Sequence, residues 1–426
     1  MAGIPGTPRV LRAMNDRAAL DLLLSHGPLT RTRLGELTGL SKPTASQLLG
    51  RLESAGLVRT TGNVTGRPGP SAQLYEVNPG AAHVAALTVD PEGITAAVAD
   101  LTGRVLGEHR VAAPATAEDV RDRTAELVVR AVDGALAAAG LRPGAPHRTV
   151  IGTPGALDPH TGALRYAPHL PGWHSRTLRA ELAEALGTPV AIENDVNLAA
   201  LAERYDGTAR DTGDYVFLWA DEGVGAAVVI GGTLLRGATG GAGEVGYMPL
   251  PGAPLAPRGG PSDAGGFQLL VGSPAVVELA RAHGLGAATA GEALRLAAAT
   301  PGPGDAVLAE LGRRLATGLA AIVAVVDPEL IVLSGEVCQA GGERLRELVE
   351  AELTGLALPR PGLRLSTVEG SPILSGALHT ALAATRDAVF DTTAGPGLRS
   401  GAPVHPARTG GVHSPSGGNS WGNPQQ

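Results

Sequence analysis

Residues 30–54, TRTRLGELTGLSKPTASQLLGRLES, follow the start and stop chemistry of two short helices closely enough to leave little room for another fold. Thr30 can cap a helix that carries Leu34 and Leu37 on one face, and Gly39-Leu40 supplies the turn after it. Ser41 can cap a second helix, with Pro43 tolerated in its first turn. Ala45, Leu48, Leu49 and Leu52 fall at helical spacing, so one face packs inward. Lys42, Thr44, Ser46 and Gln47 are left facing outward over the first turn and a half. Upstream, Leu20, Leu23 and Leu24 give a supporting helix. Downstream, residues 57–59 and 72–77 read as strands flanking the loop TTGNVTGRPGPS.

Helix, helix–turn–helix and a two-stranded wing together make a winged helix-turn-helix, whose second helix enters the major groove of double-stranded DNA. Lys42, Thr44, Ser46 and Gln47 are therefore the candidate base-reading residues. The wing segment Gly66-Arg67-Pro68-Gly69-Pro70 puts one arginine on a stiff, extended backbone. Such a side chain suits a narrow minor groove, where negative potential concentrates over A·T steps. The plain alternative is a solvated Arg67 on an ordinary Gly/Pro loop. Charge agrees with the DNA reading. Residues 1–80 hold nine basic and five acidic residues, a net of +4, whereas the whole chain is −7 and the remainder therefore −11. A basic head supplies phosphate contacts that an acidic body would repel. Lys42 is the chain's single lysine, which a bias toward arginine, alanine and glycine largely explains.

A small head on a 426-residue chain leaves room for two further lobes. Aromatics make up only 3% of residues, so valine, leucine and alanine must fill the cores. The single cysteine, Cys338, rules out an intramolecular disulfide and a cysteine zinc site, and fits a reducing cytoplasm. No run of 18 apolar residues suggests a membrane partner, and MAGIPGTPRVLRAMNDR lacks a signal-peptide core. Residues 392–426, rich in Gly, Pro and Ser, are expected to be a disordered tail.

Between head and tail, strands are expected at 84–90, 94–100 and 105–110, then a helix at 117–139 and a strand at 149–152. A second lobe is expected after Asp195, with strands at 215–220, 225–230 and 330–333, a helix at 305–326, and a helix at 373–389 closing the chain. The expected architecture is α/β: a winged head over 1–80, a two-lobed body with a central cleft over 81–391, and the tail.

Four segments of the body follow one another in a familiar order: Ile151-Gly152-Thr153-Pro154-Gly155, His169-Leu170-Pro171-Gly172-Trp173, Glu193-Asn194-Asp195-Val196-Asn197, and Gly240-Gly241-Ala242-Gly243-Glu244-Val245-Gly246-Tyr247. Over roughly residues 10–390 the chain resembles the ROK family (repressors, open reading frames and sugar kinases), and with its winged head the transcriptional regulators of that family. The resemblance implies an actin/hexokinase-type body with a sugar in the cleft, in a bacterial cytoplasm and on the nucleoid when DNA is bound. It also implies that the residue matching Asp195 is the kinase general base, while those matching Asn194 and Glu244 bind sugar hydroxyls. The residues themselves point the same way. A sugar presents hydroxyls that donate and accept, so its binder needs fixed carboxylates and amides with every buried polar group matched. The candidate effector residues are Gly155, His169, Asn194, Asp195, Glu244 and Tyr247. The simpler alternative is that residues 193–197 only cap the helix that follows.

The chain departs from the kinase pattern where phosphate would lie. Family kinases carry Asp-x-Gly-Gly-Thr after the first strand; here Asp90-Pro91-Glu92-Gly93-Ile94 adds a carboxylate and loses an N–H donor. The Gly-Thr-Gly-x-Gly loop is Asp221-Glu222-Gly223-Val224-Gly225, and Glu336 is inserted in a third loop. Each unit charge about 4 Å from a phosphate costs on the order of 4 kcal/mol at an effective dielectric near 20. Asp195 is then a hydroxyl ligand rather than a working base, and no residue is assigned a catalytic role. Tyr247 stands where family members place a zinc-binding histidine, and 251–266 has neither Cys nor His, so no metal or other cofactor is expected. The expectation is a sugar-responsive repressor of carbohydrate genes. Its partners would be an inverted-repeat operator, a sugar or sugar phosphate, and a second copy in a homodimer or tetramer. Two alternatives stay open: a body that only oligomerises, and an active kinase with a DNA-binding head.

Overall fold

The computed structural model of the chain describes residues 8–63, 72–113, 117–165, 170, 172–254 and 265–391. Helix α1 (Pro8–His26) leads through a short strand β1 (Leu29–Thr30) to α2 (Arg31–Thr38) and α3 (Lys42–Ser54), then β2 (Val58–Asn63) and β3 (Gln73–Val77). Both short helices start as their caps predict: Thr30 Oγ1 accepts from Arg33 N at 3.2 Å, and Ser41 Oγ from Thr44 N at 3.4 Å. Gly39 closes α2 at φ 70°, a left-handed conformation that a β-carbon would strain. Ala45, Leu48, Leu49 and Leu52 are the buried face of α3, and the three leucines pack with Leu20, Leu23, Leu34, Tyr75 and Val77. The sequence did not announce β1, which pairs antiparallel with β3 in a sheet ordered β1-β3-β2. Two residues carry no periodicity to detect. Residues 64–71, and with them Arg67, lie outside the described residues.

The body opens with β4 (His83–Asp90), β5 (Gly93–Asp100), β6 (Val105–Ala112), α4 (Ala117–Ala138), β7 (Pro146–Thr153), the small pair β8 (Ala156–Leu157) and β9 (Leu164–Arg165), α5 (Leu178–Leu186) and β10 (Val190–Asn194). Their main sheet is ordered β10-β7-β4-β5-β6; β7 runs parallel to both β4 and β10, and the other pairs are antiparallel. After α6 (Asp195–Tyr205) come β11 (Tyr215–Ala220), β12 (Val224–Ile230), β13 (Thr233–Leu235), α7 (Gln268–Val271), α8 (Ser273–Ala282), α9 (Ala290–Ala299), α10 (Pro303–Val326), β14 (Leu330–Ser334), α11 (Gly335–Leu356), β15 (Gly362–Leu365) and α12 (Pro372–Asp391). The second sheet is ordered β13-β12-β11-β14-β15. Strand alternation divides its two faces. Val216, Leu218 and Ala220 join the core under α8 to α11, whereas Tyr215 and Phe217 turn to the opposite side.

Two placements correct the expected order of lobes. Helix α12 does not finish the second lobe; it returns to the first, where Leu374, Ala377 and Leu378 pack on Val84, Ala86 and Val150. Helix α6 belongs to both lobes, with Leu198 in the first-sheet core and Ala199 and Ala200 against Tyr215 and Phe217 of the second. Apolar spacing names a buried face but not the sheet that covers it. The far end of α12 also reaches the head: Phe390 is buried in the head's core, and Arg17 Nη1 meets Asp387 Oδ1 at 2.7 Å. Among the described residues no helix is long and apolar enough to cross a membrane.

Candidate functional site

Two separate surfaces carry the candidate residues. On α3, Lys42, Thr44 and Gln47 are exposed and Ser46 is half-buried, while the opposite face is sealed in the head's core. The first turn is held by its cap, since the Ser41 hydroxyl lies 2.8 Å from Thr44 Oγ1. Lys42 also borders a groove of about 390 Å³ with Arg31, Thr32, Gln73 and Tyr75, which widens the polar face beyond the predicted four residues.

The second surface is a cavity of about 400 Å³ where Gly155, Asn194, Asp195, Glu244 and Tyr247 converge, together with Trp219 and Gln268. Five of the six expected effector residues therefore share one site. The sixth, His169, lies outside the described residues. Asn194 ends β10 and caps α6, its Oδ1 accepting from Asn197 N at 2.9 Å and its Nδ2 donating to the Gly155 carbonyl at 3.0 Å. Capping and site-building thus coincide in Asn194. Asp195 occupies the first helical position, where its Oδ1 accepts from Val196 N at 2.7 Å.

Glu244 comes from the other side of the cleft, on the glycine-rich loop after β13. Gly243 has φ 98°, and a β-carbon there would run into the Ala226 carbonyl oxygen, so only glycine lets the loop lie against β12. Ala226 N then donates to the Gly243 carbonyl at 2.8 Å, fixing the residue next to Glu244. Burial pushes the Asp195 carboxyl up to about 6. Burial, reinforced by the nearby Asp195 charge, pushes Glu244 up to about 7. Two half-buried carboxylates in a cleft with Asn194 and Tyr247 can accept hydrogen bonds from the hydroxyls of a polyol, and Trp219 adds an aromatic ring to the lining. Trp219 was legible only as one of three tryptophans in the chain, on a strand ending at the Asp221-Glu222 turn.

The acids in the expected phosphate loops are not equivalent. Asp221 and Glu222 line the cavity, and burial raises the Asp221 carboxyl. Glu92, the carboxylate added to the first loop, instead faces Arg110 Nη2 at 3.6 Å beside Asp90, which receives both terminal nitrogens of that arginine at 3.0 Å, leaving Pro91 as the member of that turn that lines the cavity. Glu336 also turns away, accepting from Gly291 N at 3.2 Å near the start of α9. Three repelling loops were expected. The geometry leaves one whose carboxylates line the cavity, because an arginine on β6 and a helix N-terminus, both distant in sequence, engage the other acids.

The family model described as ROK family matches residues 85–366, and one described as MarR family matches residues 14–67. The xylose repressor of Caldicellulosiruptor bescii is 27% identical over 245 residues, 58% of this chain and 61% of that protein. The match thus spans about three fifths of that repressor's length. The structure of a ROK hexokinase from Thermus thermophilus is 32% identical with a TM-score of 0.59, covering 72% of this chain and 99% of the hexokinase. A ROK family transcriptional regulator, a homologue of Escherichia coli MLC protein, shares the fold over 90% of this chain and 99% of its own at 21% identity, with a TM-score of 0.71.

Proposed function

The chain belongs to the ROK family, and on that premise we propose that it is a DNA-binding transcriptional repressor of carbohydrate genes released or armed by a sugar. The observation that carries this reading is the pairing, in one chain, of an exposed first turn on α3 with a cleft that gathers Asn194, Asp195 and Glu244. In this reading residues 1–80 read DNA through Lys42, Thr44, Ser46, Gln47 and Arg67. Residues 81–391 bind a sugar or sugar phosphate through Gly155, His169, Asn194, Asp195, Glu244 and Tyr247, and pair with a second copy. A single helix-turn-helix covers only a few base pairs, so a homodimer or tetramer on an inverted repeat supplies the specificity. The protein works in the cytoplasm. The similarity to a xylose repressor supports a sugar as the class of effector.

A second reading, an active sugar kinase bearing a DNA-binding head, is favoured by the likeness to the Thermus hexokinase and by the position of Asp195. Asp221 and Glu222 speak against it, since carboxylates on the cavity wall oppose a triphosphate. One experiment separates the two. A thermal-shift panel of aldoses, amino sugars and their phosphates should raise the melting temperature with at least one member, because a ligand that binds only the folded state stabilises it. The same sugar with ATP and magnesium should give no sugar phosphate above background. Measurable turnover would establish the kinase instead, and a flat panel would leave the body as an oligomerisation module.

A further inference from the structure

We infer that Glu193 and Arg236 form a latch that positions the two halves of the sugar site against each other, an inference that rests on the sugar-binding reading above. Neither residue lines the cavity; both hold segments that do. Glu193 sits one residue before the Asn194 cap, and its two carboxylate oxygens are divided. Oε1 accepts from Asn194 N at 3.0 Å and from Asn197 Nδ2 at 2.9 Å, fixing the start of α6. Oε2 accepts from Arg236 Nε at 2.7 Å across the cleft. Arg236 in turn anchors the loop that delivers Glu244: its carbonyl accepts from Ala242 N at 3.2 Å, and the Gly243-to-Ala226 contact follows directly.

The pair therefore ties the segment carrying Asn194 and Asp195 to the segment carrying Glu244. That tie is needed because Asp195 and Glu244 are acids that repel each other when both ionise. The Glu193 side chain is only 15% exposed, so its charge is screened less than that of a surface pair, while Arg236, at 52%, can be replaced without opening a core. Arg236 acts through Glu193 and the loop rather than on the sugar.

The test uses the full chain and the sugar that gives the largest thermal shift with wild type, from a probe set of D-glucose, D-xylose, N-acetyl-D-glucosamine and their phosphates. If none of these binds wild type, the sugar reading has failed and the latch goes with it. With a binding sugar in hand, Arg236→Ala should weaken its Kd about tenfold by calorimetry. Glu193→Gln keeps an acceptor for Asn194 N and Asn197 while removing the charge, and should weaken binding to a similar extent. The double variant should be no weaker than either single, since both remove the same interaction, and Arg236→Lys should recover part of the loss. Melting temperatures without sugar, read on the same samples, should stay close to wild type. Wild-type affinity in Arg236→Ala while the sugar still binds, or losses that multiply in the double variant, would overturn the latch and leave the sugar reading intact.

Discussion

Helices α3 and α6 start alike and end up doing different work. Each follows a residue whose side-chain oxygen accepts from the amide three positions on: Ser41 from Thr44 N, and Asn194 from Asn197 N. Each carries polar residues in its first turn. On α3 those residues face outward, with Lys42, Thr44 and Gln47 exposed. On α6 they lie partly buried between two sheets, under a loop from the second lobe. An uncovered first turn can meet a large partner such as a DNA groove. A covered one meets only what fits a cavity of about 400 Å³, and its carboxylate, Asp195, feels the loss of water. Local capping chemistry builds the helix start, and tertiary cover decides what the start can bind.

The sharpest way to break this comparison is to strip each terminus of its polar groups. Asp195→Ala and Glu244→Ala should each abolish the sugar response, and leave DNA affinity without sugar within a few-fold of wild type. The mirror change, Gln47→Ala, should weaken the cognate operator by roughly 1–3 kcal/mol while sparing random DNA, because glutamine pairs two-pronged with adenine. Fluorescence anisotropy on operator and scrambled duplexes, with and without sugar, reads all of them. A normal sugar response in both acid variants would place the effector elsewhere. Equal losses on both duplexes for Gln47→Ala would remove α3 from base reading.

A milder perturbation is pH, which should act on α6 and leave α3 untouched. Without sugar, burial holds Asp195 at about 6, and burial with the Asp195 charge holds Glu244 at about 7. Both values lie above those of an unfolded chain, so the folded state binds more protons in that window. Unliganded stability should therefore fall as pH rises from the ordinary carboxylate range toward about 7. Sugar hydroxyls that donate to these carboxylates favour the ionised forms, so binding releases protons and strengthens with pH. Affinity should drop at least about tenfold between pH 7.5 and 5.5. Calorimetry in buffers of different ionisation enthalpy should show proton release near pH 6.5. Uptake of protons would mean that Glu244 binds sugar as a neutral donor.

How much could be read in advance follows the same division. The head was legible because Thr30, Gly39, Ser41 and the α3 leucines interact within a few residues of one another. The cleft was legible only as motifs; its candidates Gly155, Asn194, Asp195, Glu244 and Tyr247 do converge, but nothing local says that Trp219 joins them. The pairs that decide the charges were hidden by distance. Glu336 reaches Gly291, Asp90 reaches Arg110, and Glu193 reaches Arg236, 43 positions on. Similarly, α12 reads as an amphipathic last helix, and only packing shows that it returns to the first sheet and delivers Phe390 to the head.

The smallest expected effect compares the caps themselves. Ser41 is exposed and makes one capping bond to an amide, so Ser41→Ala should cost about 1 kcal/mol and fray only the first turn of α3. Asn194 caps α6 and also donates to the Gly155 carbonyl, which has to keep a partner inside the cleft. Asn194→Ala should therefore cost roughly 2 kcal/mol, the cap plus a hydrogen bond lost in a partly dry site. Denaturant unfolding followed by far-UV circular dichroism gives both values, and Asn194→Asp should recover the cap but not the donated bond. If Ser41→Ala proved the costlier change, cover by a second lobe would not be what separates the two helix starts, and the contrast would have to be sought in the helices alone.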